Sequence, residues 1–203
     1  MGRLIALAAL LALASPAAAA DEALARIRAL LDAQPRLRAE FDQTKRSAEL
    51  ERPALAHGRL LVWREAGVVW QLDQPVKMAI VLREDVTIQV DAGGRRKTQQ
   101  AKNDAAAARL GRILGALLHG DTAMLEQWFD IAARYETRGW TIMLTPRRGA
   151  MGAFLKSMQV SGDKYVQAVA IEEANGDSTQ IAFRNHRDAA PLTSEEAGLL
   201  GVP

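Results

Sequence analysis

Cysteine is absent from the 203 residues, and histidine occurs only three times. The first absence excludes disulfides, thiolate metal sites, a cysteine nucleophile and a lipid-acylated cysteine anchor. The second leaves His57, His119 and His186 far apart in the sequence, so a histidine-rich metal centre is not expected. An excess of charge of one sign is lacking too: 26 Lys+Arg face 24 Asp+Glu, a formal net charge of +2. So small a surplus gives no electrostatic basis for nucleic-acid binding. Catalytic signatures are missing as well, with no G-x-S-x-G elbow, no H-E-x-x-H, no Walker loop and no G-x-G-x-x-G after a strand. Glu172 and Glu173 form a carboxylate pair, but neighbours on a strand point to opposite faces and cannot serve one substrate. The expectation is a protein without catalysis, metal or cofactor.

What is there is globular, at 49% hydrophobic and 25% charged residues. The first twenty residues read as an address. Arg3 supplies a positive start, Leu4 to Ala14 an apolar stretch, and Ala18-Ala19-Ala20 a small-residue cleavage site before Asp21. That stretch falls short of the roughly 20 apolar residues that span a bilayer. Residues 1–20 are therefore expected to be a cleaved signal peptide, and 21–203 a single exported domain, most simply periplasmic.

Asp21 to Ala33 predicts a helix with Asp21 as its N-cap and Leu24, Ile27, Leu30 and Leu31 on one face, ended by Gln34-Pro35. Leu37, Ala39 and Phe41 then alternate with charged residues, the period of a half-buried strand. Further strands are predicted over Gly58–Arg64, Val68–Leu72, Val76–Leu82 and Val86–Val90, joined by turns too short for anything but hairpins. Asp104 opens a helix to about His119 whose Leu110, Ile113, Leu114, Leu117 and Leu118 form one stripe, and Asp121 caps a shorter turn. Strands resume at about Gln127–Tyr135, Gly139–Leu144, Ala153–Val160, Tyr165–Glu173 and Ser178–Phe183. Arg95-Arg96-Lys97 reads as a solvated loop or as a contact for anionic headgroups or an acidic partner.

Two helices are little cover for ten or eleven antiparallel strands. A mainly β (α+β) fold follows, in which the sheet curls into an incomplete barrel and the helices form a lid over its mouth. Such a shape can enclose an apolar cavity. Met78, Met143, Met151 and Met158, with Trp63, Trp70, Trp128 and Trp140, suit either a cavity wall or an ordinary core.

Phe41-Asp42-Gln43-Thr44-Lys45, then Gly58-Arg59-Leu60-Leu61-Val62-Trp63-Arg64, then Trp70-Gln71-Leu72-Asp73-Gln74-Pro75, followed by Leu144-Thr145-Pro146, resemble the outer-membrane lipoprotein carrier family, LolA. The pattern is an F-x-Q element in the first strand, a Gly-led second strand ending in Arg, a Trp with a Pro after it, and a later L-x-P. It covers about residues 21–186. The resemblance implies a monomeric periplasmic shuttle that shields lipoprotein acyl chains in its cavity. It takes them from an inner-membrane ABC exporter to an outer-membrane acceptor. Phe41, Leu60, Val62 and Trp70 would then line the cavity, with Leu110, Ile113, Leu114 and Leu117 as its lid. Arg64 matches the arginine held to latch the lid by bonding to its backbone.

The chain departs from the pattern twice. Glu65 stands where the family usually has Pro, and the tail ends soon after Phe183 with Ala190-Pro191-Leu192 and a polar Thr193-Ser194-Glu195-Glu196 run. The cargo therefore stays open between lipoprotein acyl chains and an aryl-polyene or related lipid-like product. A sensor of lipidated proteins and a hydrolase or lyase with an unrecognised site are the other classes.

Overall fold

Alternating residues build strands here because every second side chain finds one shared interior. The computed structural model describes residues 16–83, 86–100, 113, 115–117, 121–147, 149 and 151–202. Helix α1 (Pro16–Asp32) leads into β1 (Arg36–Arg46), β2 (Ala54–Trp63), β3 (Gly67–Gln74), β4 (Met78–Leu82), β5 (Val86–Asp91) and β6 (Arg96–Gln100). Ile113 and residues 115–117 are helical. The short α2 (Thr122–Glu126) precedes β7 (Phe129–Glu136), β8 (Gly139–Pro146), β9 (Leu155–Gly162), β10 (Val166–Glu173) and β11 (Ser178–Asp188), and α3 (Ser194–Leu200) ends the fold.

Among the described residues these eleven strands make one antiparallel sheet in the order β6-β5-β4-β3-β2-β1-β11-β10-β9-β8-β7. Two hairpin meanders are thus joined through β1 and β11, and β6 and β7 are left as edges. The sheet is not closed, as an incomplete barrel requires.

Several boundaries differ from expectation. α1 begins at Pro16, so Asp21 lies inside it rather than capping it. Proline suits a first helical position and the alanines after it are strong helix formers. Asp121 does cap α2, accepting from the Met124 amide. Arg96 and Lys97 are not loop residues but the start of β6, an edge strand where charge is tolerated because one side stays in water. β11 runs on to Asp188 and includes His186, whose ring stacks on Tyr165 with centroids 4.8 Å apart. The tail is not merely polar. It folds into α3 on a capping box in which Thr193 and Glu196 satisfy each other's backbone amides.

Both faces of the sheet are buried in part. On the inner face Leu37, Ala39, Phe41, Leu60, Val62 and Trp70 join Ile27 and Leu31 of α1 and Ile113 and Leu117 in one core. On the outer face Leu61, Val69, Ala79, Val81 and Val90 pack beneath Ala189 and Leu200.

Candidate functional site

The inner face changes character along β1 and β2. Their register pairs Leu37 with Val62, Ala39 with Leu60, and Phe41 with Gly58. At Gly58 a Cβ would sit 2.6 Å from Phe41 Cζ, so the absent side chain is what lets the Phe41 ring lie across β2. That ring meets Trp70 at 4.0 Å between centroids, and Phe183 completes the layer at 6.4 Å from Phe41 and 5.9 Å from Trp70. All three are buried. The next pairs, Gln43 with Ala56 and Lys45 with Ala54, bring polar groups onto the same face.

There Lys45 reaches Glu173 at 3.1 Å and Asp177 at 3.5 Å. The hydrogen bond to Glu173 raises the Lys45 pKa, and the Ser47 hydroxyl is the leading cause that lowers that of Asp177. The ion cluster therefore stays charged across the physiological range.

Helices cover the opposite end. α1 packs on β7 and β8. Between it and the sheet lies an apolar crevice of about 10 Å³, bordered by Leu24, Ile27, Leu31, Leu117, Ile131 and Ile142 among others. A gap of that size holds about one water. Of the expected site residues, Phe41, Leu60, Val62, Trp70, Ile113 and Leu117 therefore come together as one packed interior. Leu110 and Leu114 lie outside the described residues, as do Leu118 and His119.

Arg64 follows β2 directly, and its own amide donates to the Pro35 carbonyl at 2.9 Å. Its guanidinium donates to the Leu31 carbonyl at 3.2 Å and to the Asp32 carboxylate at 2.8 Å. It thus binds a helix end, where carbonyls lack intrahelical partners and a cation is favourable. These bonds go to α1, the N-terminal helix. Neither Leu31, Asp32, Lys45, Glu173, Asp177 nor Phe183 was expected in the site; only the outward-pointing Asp32 at the last turn of a helix hinted at an arginine partner.

The outer face carries structural electrostatics. Arg38 grips Glu196 with two nitrogens at 2.7 and 2.6 Å and also donates to the Pro191 carbonyl. This bidentate contact lowers the Glu196 pKa from 4.5 to about 2. Arg96 bonds the Gly198 and Leu199 carbonyls, so the basic run is occupied in holding α3. His57 contacts Asp42 at 3.0 Å, and Arg184 pairs with Asp42 and Glu40, a cross-strand ladder without a nucleophile. Glu172 pairs with Lys156 and Glu173 with Lys45, on opposite faces as strand geometry requires. Among the described residues no group of acids and histidines is placed to hold a metal.

Comparison with known proteins agrees with this geometry. The model of the family described as "Outer membrane lipoprotein carrier protein LolA" matches residues 35–196. A DUF1329 family protein from Desulfovibrio piger superposes with a TM-score of 0.52 at 12% identity, over 89% of this chain and 96% of that one. A domain from Vibrio parahaemolyticus, described as an outer membrane lipoprotein-sorting protein, gives 0.51 at 12% identity, over 89% and 99%. At such identities these structures speak for the fold alone. No curated protein is a significant match in sequence.

Proposed function

The chain belongs to the outer membrane lipoprotein carrier protein (LolA) family, and we propose that it is a periplasmic carrier of acyl chains. Its cargo is the lipid portion of a lipoprotein or a related lipid-like product, taken from an inner-membrane exporter and handed to an outer-membrane acceptor. Residues 1–20 are the leader removed on export, and 21–203 are the carrier domain. No step of this work needs a catalytic residue.

One observation carries the reading: the inner face of an unclosed sheet is apolar from the Leu37–Val62 row to the Phe41–Gly58 row, and its cover is helical. An exposed acyl chain costs about 0.8 kcal/mol per CH₂ in water, and an apolar wall removes that cost. The crevice of about 10 Å³ is too small for such a chain. Loading therefore moves α1 away from β7 and β8, with acyl carbons replacing Ile27 and Leu31 against the sheet. Arg64 sets how firmly the cover is held at its C-terminal end.

The test is native mass spectrometry of the protein isolated from periplasm, together with displacement of a fluorescent fatty acid in solution. A co-purified acyl or polyene species, or saturable displacement, is the expected outcome. A protein that carries no such species and takes up no fatty acid removes this reading.

A further inference from the structure

The inner face between β1 and β2 is graded, and the grading has a length. Starting beside Arg64, its successive rows are Leu37–Val62, Ala39–Leu60, Phe41–Gly58, Gln43–Ala56 and Lys45–Ala54. The first two rows are aliphatic. The third is closed by the Phe41 ring lying over Gly58 against Trp70 and Phe183. The last two are polar, and Lys45 is fixed there by Glu173 and Asp177.

We infer that the Phe41–Trp70–Phe183 layer is a stop that sets the length of acyl chain this protein accepts. This deepens the carrier reading and rests on it. A chain entering by the Arg64 end slides over Leu37, Val62 and Leu60 and gains burial with each methylene. At the rings it meets a packed layer. Pushing the layer onward would drive apolar carbon against Lys45 and its carboxylates, stripping an ion cluster of its remaining water. From Leu37 to Phe41 is four residues of strand, about 13 Å. With C–C bonds of about 1.5 Å in an extended zigzag, that distance holds roughly ten methylenes.

Straight-chain fatty acids of ten, fourteen and eighteen carbons, competing with one fluorescent fatty acid, test the stop. The wild type should bind a short or middle length best and the eighteen-carbon chain at least tenfold more weakly. Trp70→Phe and Phe183→Leu shorten the layer and should move the optimum to longer chains, with the eighteen-carbon acid gaining most. Val62→Ala, on the aliphatic side, should weaken all lengths alike and leave the optimum in place. Circular dichroism checks that each variant is folded, and Trp70→Phe is the conservative one should Phe183→Leu not fold. Binding that rises steadily to eighteen carbons in the wild type overturns the stop while leaving the carrier intact. So does a length profile unchanged in a folded Trp70→Phe variant. A wild type that binds none of the three acids overturns the carrier reading itself.

Discussion

Replacing Arg64 with leucine should free the end of α1 without unfolding the sheet. Two contacts are lost. The Asp32 side chain is 44% exposed, so the ion pair at 2.8 Å is screened by water and contributes no more than about 1 kcal/mol. The bond to the Leu31 carbonyl joins a charged donor to a helix-terminal acceptor and contributes about 1.5 kcal/mol. Together they amount to about 2 kcal/mol, roughly a thirtyfold change in the ratio of docked to undocked α1. Leucine also adds apolar surface to the rim, which favours the lipid-filled form. Lysine keeps the charge but not the planar fork, so Arg64→Lys should fall between.

Amide hydrogen exchange over Ile27 to Asp32 reads the change directly, because those amides exchange through local opening of the helix. Loading and release of a fluorescent fatty acid, followed separately, read its consequence. Arg64→Leu should exchange roughly thirtyfold faster there, load at least as readily and release more slowly. If exchange in α1 and both rates match the wild type, Arg64 does not hold the cover, and its bonds to Leu31 and Asp32 are decoration.

The remaining predictions concern the frame. Glu196 has a folded pKa of about 2 against 4.5 for the free group, so its contribution is present above about pH 4.5 and lost as pH falls towards 2. Allowing for screening, unfolding experiments should show about 2 kcal/mol leaving over that window, and Glu196→Gln should flatten the dependence. Gly58→Ala should lower the urea midpoint by an amount equivalent to about 3 kcal/mol, since a Cβ there strikes the Phe41 ring. Adding Phe41→Leu should recover part of that loss; a fully additive double variant would mean that the two positions do not share the space. Intact mass of the exported protein should correspond to a chain starting at Asp21, and any other start moves the cleavage site.

Strand existence was legible because burial imposes alternation, as at Leu37, Ala39 and Phe41. Where burial is weak, so was the signal. β6 carries Arg96 and Lys97 at a sheet edge, and its composition is that of a loop. The end of β11 is polar because Arg184 faces the acids of β1 rather than the core. The cavity and latch residues were nameable through the family pattern, yet no pattern in one sequence says that Arg64 ends up beside Leu31. That contact depends on the Pro35 turn bringing the end of α1 alongside the end of β2. α3 was the avoidable miss, for Thr193-Ser194-Glu195-Glu196 has the spacing of a capping box ahead of an apolar Leu199-Leu200 pair.

A second legible sign bears on how the carrier works. Leu60-Leu61-Val62, Val68-Val69-Trp70 and Ala79-Ile80-Val81-Leu82 are continuous apolar runs, and such runs mark strands covered on both faces. One face meets the exchangeable cover of α1. The other meets Leu200 and Ala189, clamped by Arg38 at the start of α3 and Arg96 at its end. The two covers are fastened differently. α1 is held at its C-terminal end by a part-exposed arginine, whereas α3 is held at both ends, and the Arg38–Glu196 side chains are only 16% and 19% exposed. An unclosed sheet that gave up both covers at once would expose apolar surface on each side of β2 to β4, an invitation to aggregate. Fastening the outer cover permanently confines the opening to the inner face, so that the only apolar surface bared when α1 lifts is the one that an acyl chain can fill.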